Sequence, residues 1–335
     1  MNIINPSNKY KDRPCYKFTN TTAMNEYIFN CLNGNLNNKP SKSKFNRIKI
    51  TALIPVYNPE QYIKSTIRSI QNQNMEEIEI LIVDDYSTDN TRNIIYKLQE
   101  KDERIKIIEN KSNRGTLYSR SIGAFNARGK YIMTIDNDDM FINDIFDICY
   151  EEAENDNIDI LEFAECDKGI NSTFQNKYCD IDIYLRIFKR DGIIIKQPEL
   201  KNYLYQKWGN DFRLIDFYLW GECIKSTLYK RATIEREIFF QKVCWCEDRI
   251  VNFALFRIAN SFKYIKIIGI IHNWNPNSVG GTWGKNVSRI FHDELLNVKN
   301  LYKLTQNTVD SMFAALEFKN IWHYSKLDKQ MKIKN

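Results

Sequence analysis

The sequence has no run of about 18 apolar residues, so no segment reads as a membrane-spanning helix. Its opening, MNIINPSNKYKDRPCYKF, carries no apolar leader core. A soluble cytoplasmic protein is therefore the default expectation. No G-x-G-x-x-G follows the first apolar strand and no G-x-x-x-x-G-K-[ST] occurs, which disfavours a dinucleotide dehydrogenase and a P-loop NTPase. The eight cysteines never fall in CxxC spacing. They read as buried free thiols, with Cys244-x-Cys246 as the alternative metal or redox pair. No concentrated Lys/Arg tract is present. The net charge of +6, from 48 basic and 42 acidic residues, suits an anionic ligand better than a nucleic-acid arm. No internal repeat is visible. The sequons at Asn20, Asn171 and Asn286 are what chance gives an Asn-rich chain.

What is present is an alternation. With 335 residues, 43% of them hydrophobic, the chain can bury a sizeable core. Residues 1–47 are polar and irregular and read as an extension. From Ile48, apolar strands (IKITALIPVYN, EIEILIVDDYS, RIKIIEN, KYIMTID) alternate with helical segments, the third of them stopped by Gly129. Strands rich in Ile, Val and Leu throughout, rather than at every second position, are buried on both faces. A mostly parallel α/β sheet flanked by helices is predicted. FINDIFDICYEEAENDN reads as helix and IDILEFAEC as strand. YKRATIEREIFF and EDRIVNFALFRIAN read as helices, and SFKYIKIIGIIHNW as paired strands or a strand bent at Gly269. An amphipathic helical tail follows residue 285, packing on its own domain, joining a homodimer or resting on a membrane surface.

Ligands of parallel sheets bind at the carboxyl ends of the strands. Three of those ends, PVYN, VDDYS and IDNDD, belong on one edge, and two are acidic. Asp136 and Asp138 are two apart, which in extended chain points both carboxylates the same way. Hard divalent cations take such oxygens, and Mg²⁺ typically adds substrate phosphates. The alternative is an Asx-type turn after the strand.

Together ITALIPVYN, EILIVDDYSTDNT, NRGTLYSRSIGAFNARGKYIMTIDNDD and CEDRIVNFALFRIANSF resemble glycosyltransferase family 2, with its nucleotide-sugar-binding GT-A fold. The likeness is good over residues 48–141 and patchier to about 278. It implies a nucleotide-sugar-binding half at 48–150, an acceptor and catalytic-base half at 151–285 and a helical tail at 286–335. By the same likeness Pro55, Tyr57 and Glu60 line the nucleoside pocket. Asp85 accepts from uracil N3–H, and Asp84 is structural. Arg120 lies near the diphosphate, in an SRSIG run where Ser121 replaces the family's usual Asn. Asp136 faces the ribose or the metal, Asn137 belongs to the donor-binding set, and Asp138, with Asp136, holds Mn²⁺ or Mg²⁺. Asp139 orients the loop. His272 lies near the diphosphate, as a further metal ligand or as a polar strand end. Asp248, supported by Glu247, is the general base.

The activity implied is metal-dependent, inverting transfer from a UDP-sugar to a hydroxyl of a glycan, glycoprotein or glycolipid. Two other readings stand beside it. One is an inactive nucleotide-sugar or glycan-binding module of the same fold. The other is a nucleotidyltransferase, for which PVYNPEQY lacks the Gly-rich basic loop. Trp220 and Trp245 pack in the core or stack on a sugar, and NSVGGTWG reads as a lid over the donor.

Overall fold

A computed structural model describes residues 47–168, 192, 194–197, 221–234, 236–244, 247–273, 275 and 287–304. Trp220, Trp245, Cys246, the three sequons and the NSVGGTWG segment lie outside these residues, as do residues 1–46 and 305–335.

The first half is the expected alternation: β1 (Ile50–Val56), α1 (Ile63–Gln71), β2 (Ile78–Asp84), α2 (Thr91–Gln99), β3 (Ile105–Glu109), α3 (Thr116–Asn126) and β4 (Tyr131–Thr134). The short β5 (Met140–Phe141), α4 (Ile145–Asn155) and β6 (Ile160–Lys168) follow. Then come β7 (Ile194–Lys196), β8 (Gly221–Lys225), α5 (Ser226–Ala232), α6 (Arg236–Phe239), α7 (Asp248–Ile258), β9 (Ser261–Asn273) and α8 (Val287–Leu304).

Nine described strands make one sheet in the order β3-β2-β1-β4-β8-β6-β9-β5, with β7 also paired to β9. Every residue of β1 and β2 is buried, as strands covered on both faces must be. Alternate side chains of β1 enter different cores. Ile50, Ala52, Ile54 and Val56 meet Ile63, Ile67 and Ile70 of α1, while Leu53 joins Leu117 of α3 and Ile250 of α7. The helices that carry the candidate site, α3 and α7, therefore share one face.

Several details differ from the sequence reading or sharpen it. The sheet is mixed rather than mostly parallel: β3-β2-β1-β4 runs parallel, but β8 joins antiparallel to both β4 and β6. YKRATIEREIFF makes two short helices, with Ile234 67% exposed between them, because the segment turns out of the core there. SFKYIKIIGIIHNW makes one strand, β9, the second of the two readings, with register shifts against β6 on either side of Ile268. Gly269 is set there by packing, since a Cβ would lie 2.4 Å from the Phe163 ring.

Nor is Gly129 the end of α3, which closes at Asn126. Gly129 instead lets its loop touch the central strand. A Cβ would lie 2.4 Å from the Thr51 backbone nitrogen, and the Gly129 N–H donates to Thr51 Oγ1 at 2.9 Å. Because the obstacle is backbone, Gly129→Ala is expected to destabilise the fold by about 2 kcal/mol, read as a lowered urea midpoint at unchanged m-value.

Candidate active site

The strand ends do gather on one edge. Val56 is in register with Asp84, and Asp84 with Glu109. The loops after β1 and β2 are laced together. Asn58, at φ 55, accepts the Thr88 N–H on Oδ1 at 2.7 Å and donates its own N–H to Ser87 Oγ at 3.0 Å. Glu60 accepts the Asn90 N–H at 2.9 Å, so its carboxylate braces this rim. Tyr57 stands exposed on the rim, whereas Pro55 is buried within β1.

The two acids of VDD part company. Asp84 is fully buried and holds Arg92 Nε at 2.6 Å and the Ser87 N–H at 3.2 Å, which is a structural role. Asp85 is buried at the base of the edge. Its Oδ1 accepts Asn110 Nδ2 at 2.8 Å and the Arg114 N–H at 2.7 Å, and its Oδ2 accepts the Gly115 N–H at 2.7 Å. A carboxylate offers about four lone-pair sites, so Oδ2 keeps one for another donor. Gly115, at φ +83, lets the chain turn into α3 beneath it.

The IDNDD loop is tied at both ends. Asn137 Nδ2 donates to the Pro55 carbonyl at 3.1 Å, and its own carbonyl accepts Thr66 Oγ1 at 3.0 Å. Asn137 thus braces the loop against β1 and α1. Asp139 is buried, and its Oδ1 accepts the Asn273 N–H at the end of β9 at 2.8 Å. Asp138 accepts Asn275 Nδ2 at 2.9 Å.

Burial and then Asp136 raise the Asp138 carboxyl above its usual range, against the Asn275 hydrogen bond and His272; burial raises Asp139 well above it, with His272 pulling the other way. His272 is accordingly within electrostatic reach of both acids. Among the described residues no three His, Cys, Asp or Glu side chains already surround a common point as metal ligands would. The donor chemistry nonetheless fits a hard divalent cation: closely spaced carboxylate oxygens whose mutual repulsion is incompletely relieved by the protein.

Arg120 of α3 joins this loop to α7. Its Nη2 donates to Asp136 Oδ1 at 2.6 Å, and its Nε lies 3.6 Å from Glu247 Oε1, an ion-pair distance too long for a hydrogen bond. Its side chain is only 15% exposed, so it is no solvated helix face. Burial works against its charge, but Asp136, Glu247 and Asp248 outweigh that and hold the guanidinium charged.

Glu247 holds the N-cap position of α7 without a side-chain cap hydrogen bond, and Asp248 opens its first turn. Burial pushes the Glu247 carboxyl up to about 7; Arg120 opposes this, while Asp248 and Asp136 add to it. The sequence reading missed Glu222 of β8, buried beside Arg120 and Asp248 and hydrogen-bonded to Asn252 of α7. Burial raises its carboxyl to about 8, against the pull of Arg120. Its signal was available in GECIK: a Glu in an otherwise buried strand.

These raised carboxyls set a sign for stability. Between the ordinary Glu value of 4.5 and about 7 to 8, the folded protein binds protons that the unfolded chain has released. Stability therefore falls as pH rises through that window. Carboxyls held low, such as Asp102 beside Arg104, are ionised in both states there and do not oppose it. The urea midpoint is expected to be higher at about pH 5.5 than at about pH 8.

Comparison with known proteins agrees with this geometry. The profile described as Glycosyl transferase family 2 matches residues 51–216. An uncharacterized glycosyltransferase of Haemophilus influenzae is 40% identical over 264 residues, covering 76% of this chain and 92% of that protein. The chain belongs to glycosyltransferase family 2. The uncharacterized glycosyltransferase EpsJ of Bacillus subtilis is 28% identical over 230 residues, 69% of this family-2 chain and 62% of that protein. Among solved structures, S. aureus TarS 1–349 in complex with UDP-GlcNAc shares the fold, with a TM-score of 0.57 and 18% identity, over 76% of this chain and 66% of that one. The mixed α/β sheet with flanking helices is thus a fold this chain shares with that structure.

Proposed function

We propose that this glycosyltransferase transfers a sugar from a UDP-sugar to a hydroxyl acceptor with inversion at the anomeric carbon. The observation that carries the reading is Arg120, set between Asp136 on the acid loop and the Glu247–Asp248 pair on α7. One cation thereby connects the region where a diphosphate would lie to the acids that could take a proton.

Each residue then has a task. Asp85, with a free acceptor position on Oδ2, takes the uracil N3–H, and Tyr57 covers the base. The UDP-GlcNAc complex of TarS supports a uridine donor on this fold. Arg120 offers its planar fork to diphosphate oxygens, releasing Asp136 as it does so. A divalent cation held by Asp138 and Asp136, with His272 beside them, would neutralise charge on the departing nucleoside diphosphate. Asp248 removes the proton from the acceptor hydroxyl as that oxygen attacks. A single base facing the leaving group across the sugar gives one displacement, hence inversion. Residues 48–150 supply the donor side and 151–285 the base and the acceptor side, where a glycan, glycoprotein or glycolipid binds. With no helix among the described residues long and apolar enough to cross a membrane, the proposed setting is the cytoplasm.

The test is a panel of UDP-sugars with Mn²⁺ or Mg²⁺, assayed for UDP release on an acceptor array. Release dependent on one donor and abolished by chelator supports the reading. A folded protein that neither binds nor turns over any of them would sink it, and tight UDP binding without turnover would leave a binding module.

A further inference from the structure

Behind the site lies a second acidic group that the reaction as described does not use. Glu222 of β8 stands in register with Glu162 of the antiparallel β6, and Glu162 with Tyr264 of the parallel β9. Residues directly paired across strands present side chains to the same face, with Cβ atoms about 5 Å apart. The face is settled by Ile160 and Ile224, which flank the row at alternate positions and lie in the core shared with α3, α5 and α7. Both carboxyls are closed off from solvent, Glu162 at 1% and Glu222 at 7% exposure. Glu162 Oε2 has no hydrogen-bond partner. No ion pair to Glu162 or Glu222 occurs among the described residues within salt-bridge distance.

The groups around Glu222 define its options. Arg120 faces it from α3, Asp248 and Asn252 from α7, Tyr229 from α5 and Glu162 from β6. Arg120 is also the cation facing Asp136, Glu247 and Asp248. One guanidinium cannot compensate five carboxylates in a low-dielectric setting, so the row behind it must stay protonated if the front acids are to be charged. Glu162, the deeper of the two and without a cation, is the permanent acid. Glu222 is the one that can titrate.

We propose that Glu222 is a positioning residue: held neutral against Glu162, it carries the Asn252 contact that seats α7 and leaves Arg120 to the acids and diphosphate at the front of the site. When Glu222 loses its proton, a second buried anion competes for the same guanidinium and draws it back from the acid loop. Burial, opposed by Arg120, puts that loss near pH 8, above the ordinary carboxyl range. No group transfer is involved, only a proton released to solvent.

This inference rests on the proposed glycosyl transfer, so its test has two arms. In the kinetic arm, wild-type kcat is expected to fall about fourfold between about pH 7 and about pH 8.5, as the neutral fraction of Glu222 does, and Glu222→Gln is expected to flatten that limb. KM for the donor should follow the same limb, because Arg120 serves the diphosphate. An alkaline limb unchanged in Glu222→Gln, or absent from the wild type, overturns the proposal. The second arm needs no turnover. Infrared spectra at about pH 7 are expected to show a protonated carboxyl band that is reduced in Glu162→Gln and in Glu222→Gln. No such band, in protein whose thermal unfolding remains cooperative, overturns it as well. If no UDP-sugar is turned over, the functional reading fails while the infrared arm still decides the state of the pair.

Discussion

Asp248→Asn is expected to lower kcat by about 10³-fold while UDP affinity stays within about twofold, because a positioned general base contributes about 10²–10⁴. The substitution keeps the size of the side chain, and Asp248 is the first helical residue rather than the cap, so α7 should still start at the same place. What it removes is the ability to accept the acceptor's proton. UDP titration by calorimetry and steady-state UDP release measure the two halves of this expectation separately. A variant that retains more than about a tenth of wild-type kcat would remove Asp248 from the role and pass it to Glu247, whose buried carboxyl, raised to about 7, is also suited to proton transfer near neutrality. The corresponding Glu247→Gln variant then becomes the deciding one.

Arg120→Ala carries the second large effect, and on two observables. The ion pair to Asp136 is of little account for stability, since that carboxylate is 53% exposed and screened. The loss arises instead at Glu247 and Glu222, which are buried and would face only like charges. Removing one partner from such a buried set typically costs about 3–5 kcal/mol. The deficit should shrink as pH falls from about 8 to about 5, because the orphaned acids then take up protons that the unfolded chain has not yet bound. Catalytically, kcat/KM should drop by about 10²–10³-fold, the usual consequence of removing one preorganised donor to developing charge. Thermal melts across pH and the kinetics of Arg120→Lys, which keeps the charge but not the fork, separate these contributions. If Arg120→Ala melts like the wild type at every pH, the central place given to this guanidinium is wrong.

The parts of this fold that the sequence disclosed are those governed by local pattern. Ile63, Ile67 and Ile70 repeat at helical spacing and are buried in α1 as that spacing demands. The unbroken apolar runs of β1 and β2 announced strands covered on both sides. The gathering of VDD and IDNDD on one edge followed from strand direction alone. Long-range pairing was hidden. Nothing in GECIK says that Glu222 stands opposite Glu162, some sixty positions away, nor that β8 runs against its neighbours. Gly129 read locally as a stop, whereas it is a site of close approach to β1; Gly269 lies in an irregular stretch of β9, but its close approach to Phe163 had no local signal. Asp139 had no local signal for its role, because the Asn273 amide it holds belongs to β9.

That last tie has a consequence for how the enzyme comes into being. The parallel strands β3-β2-β1-β4 are complete within the first 134 residues, and a growing chain can assemble them early. The acid loop, tied through Asn137 to β1 and α1 from the start, receives its second anchor only when Asn273 has been synthesised and β9 has entered the sheet. A chain released early would present a well-formed strand edge beneath a carboxylate loop held on one side only. The candidate site is thus among the last parts of the fold to be completed during synthesis, although most of its strands are in place long before.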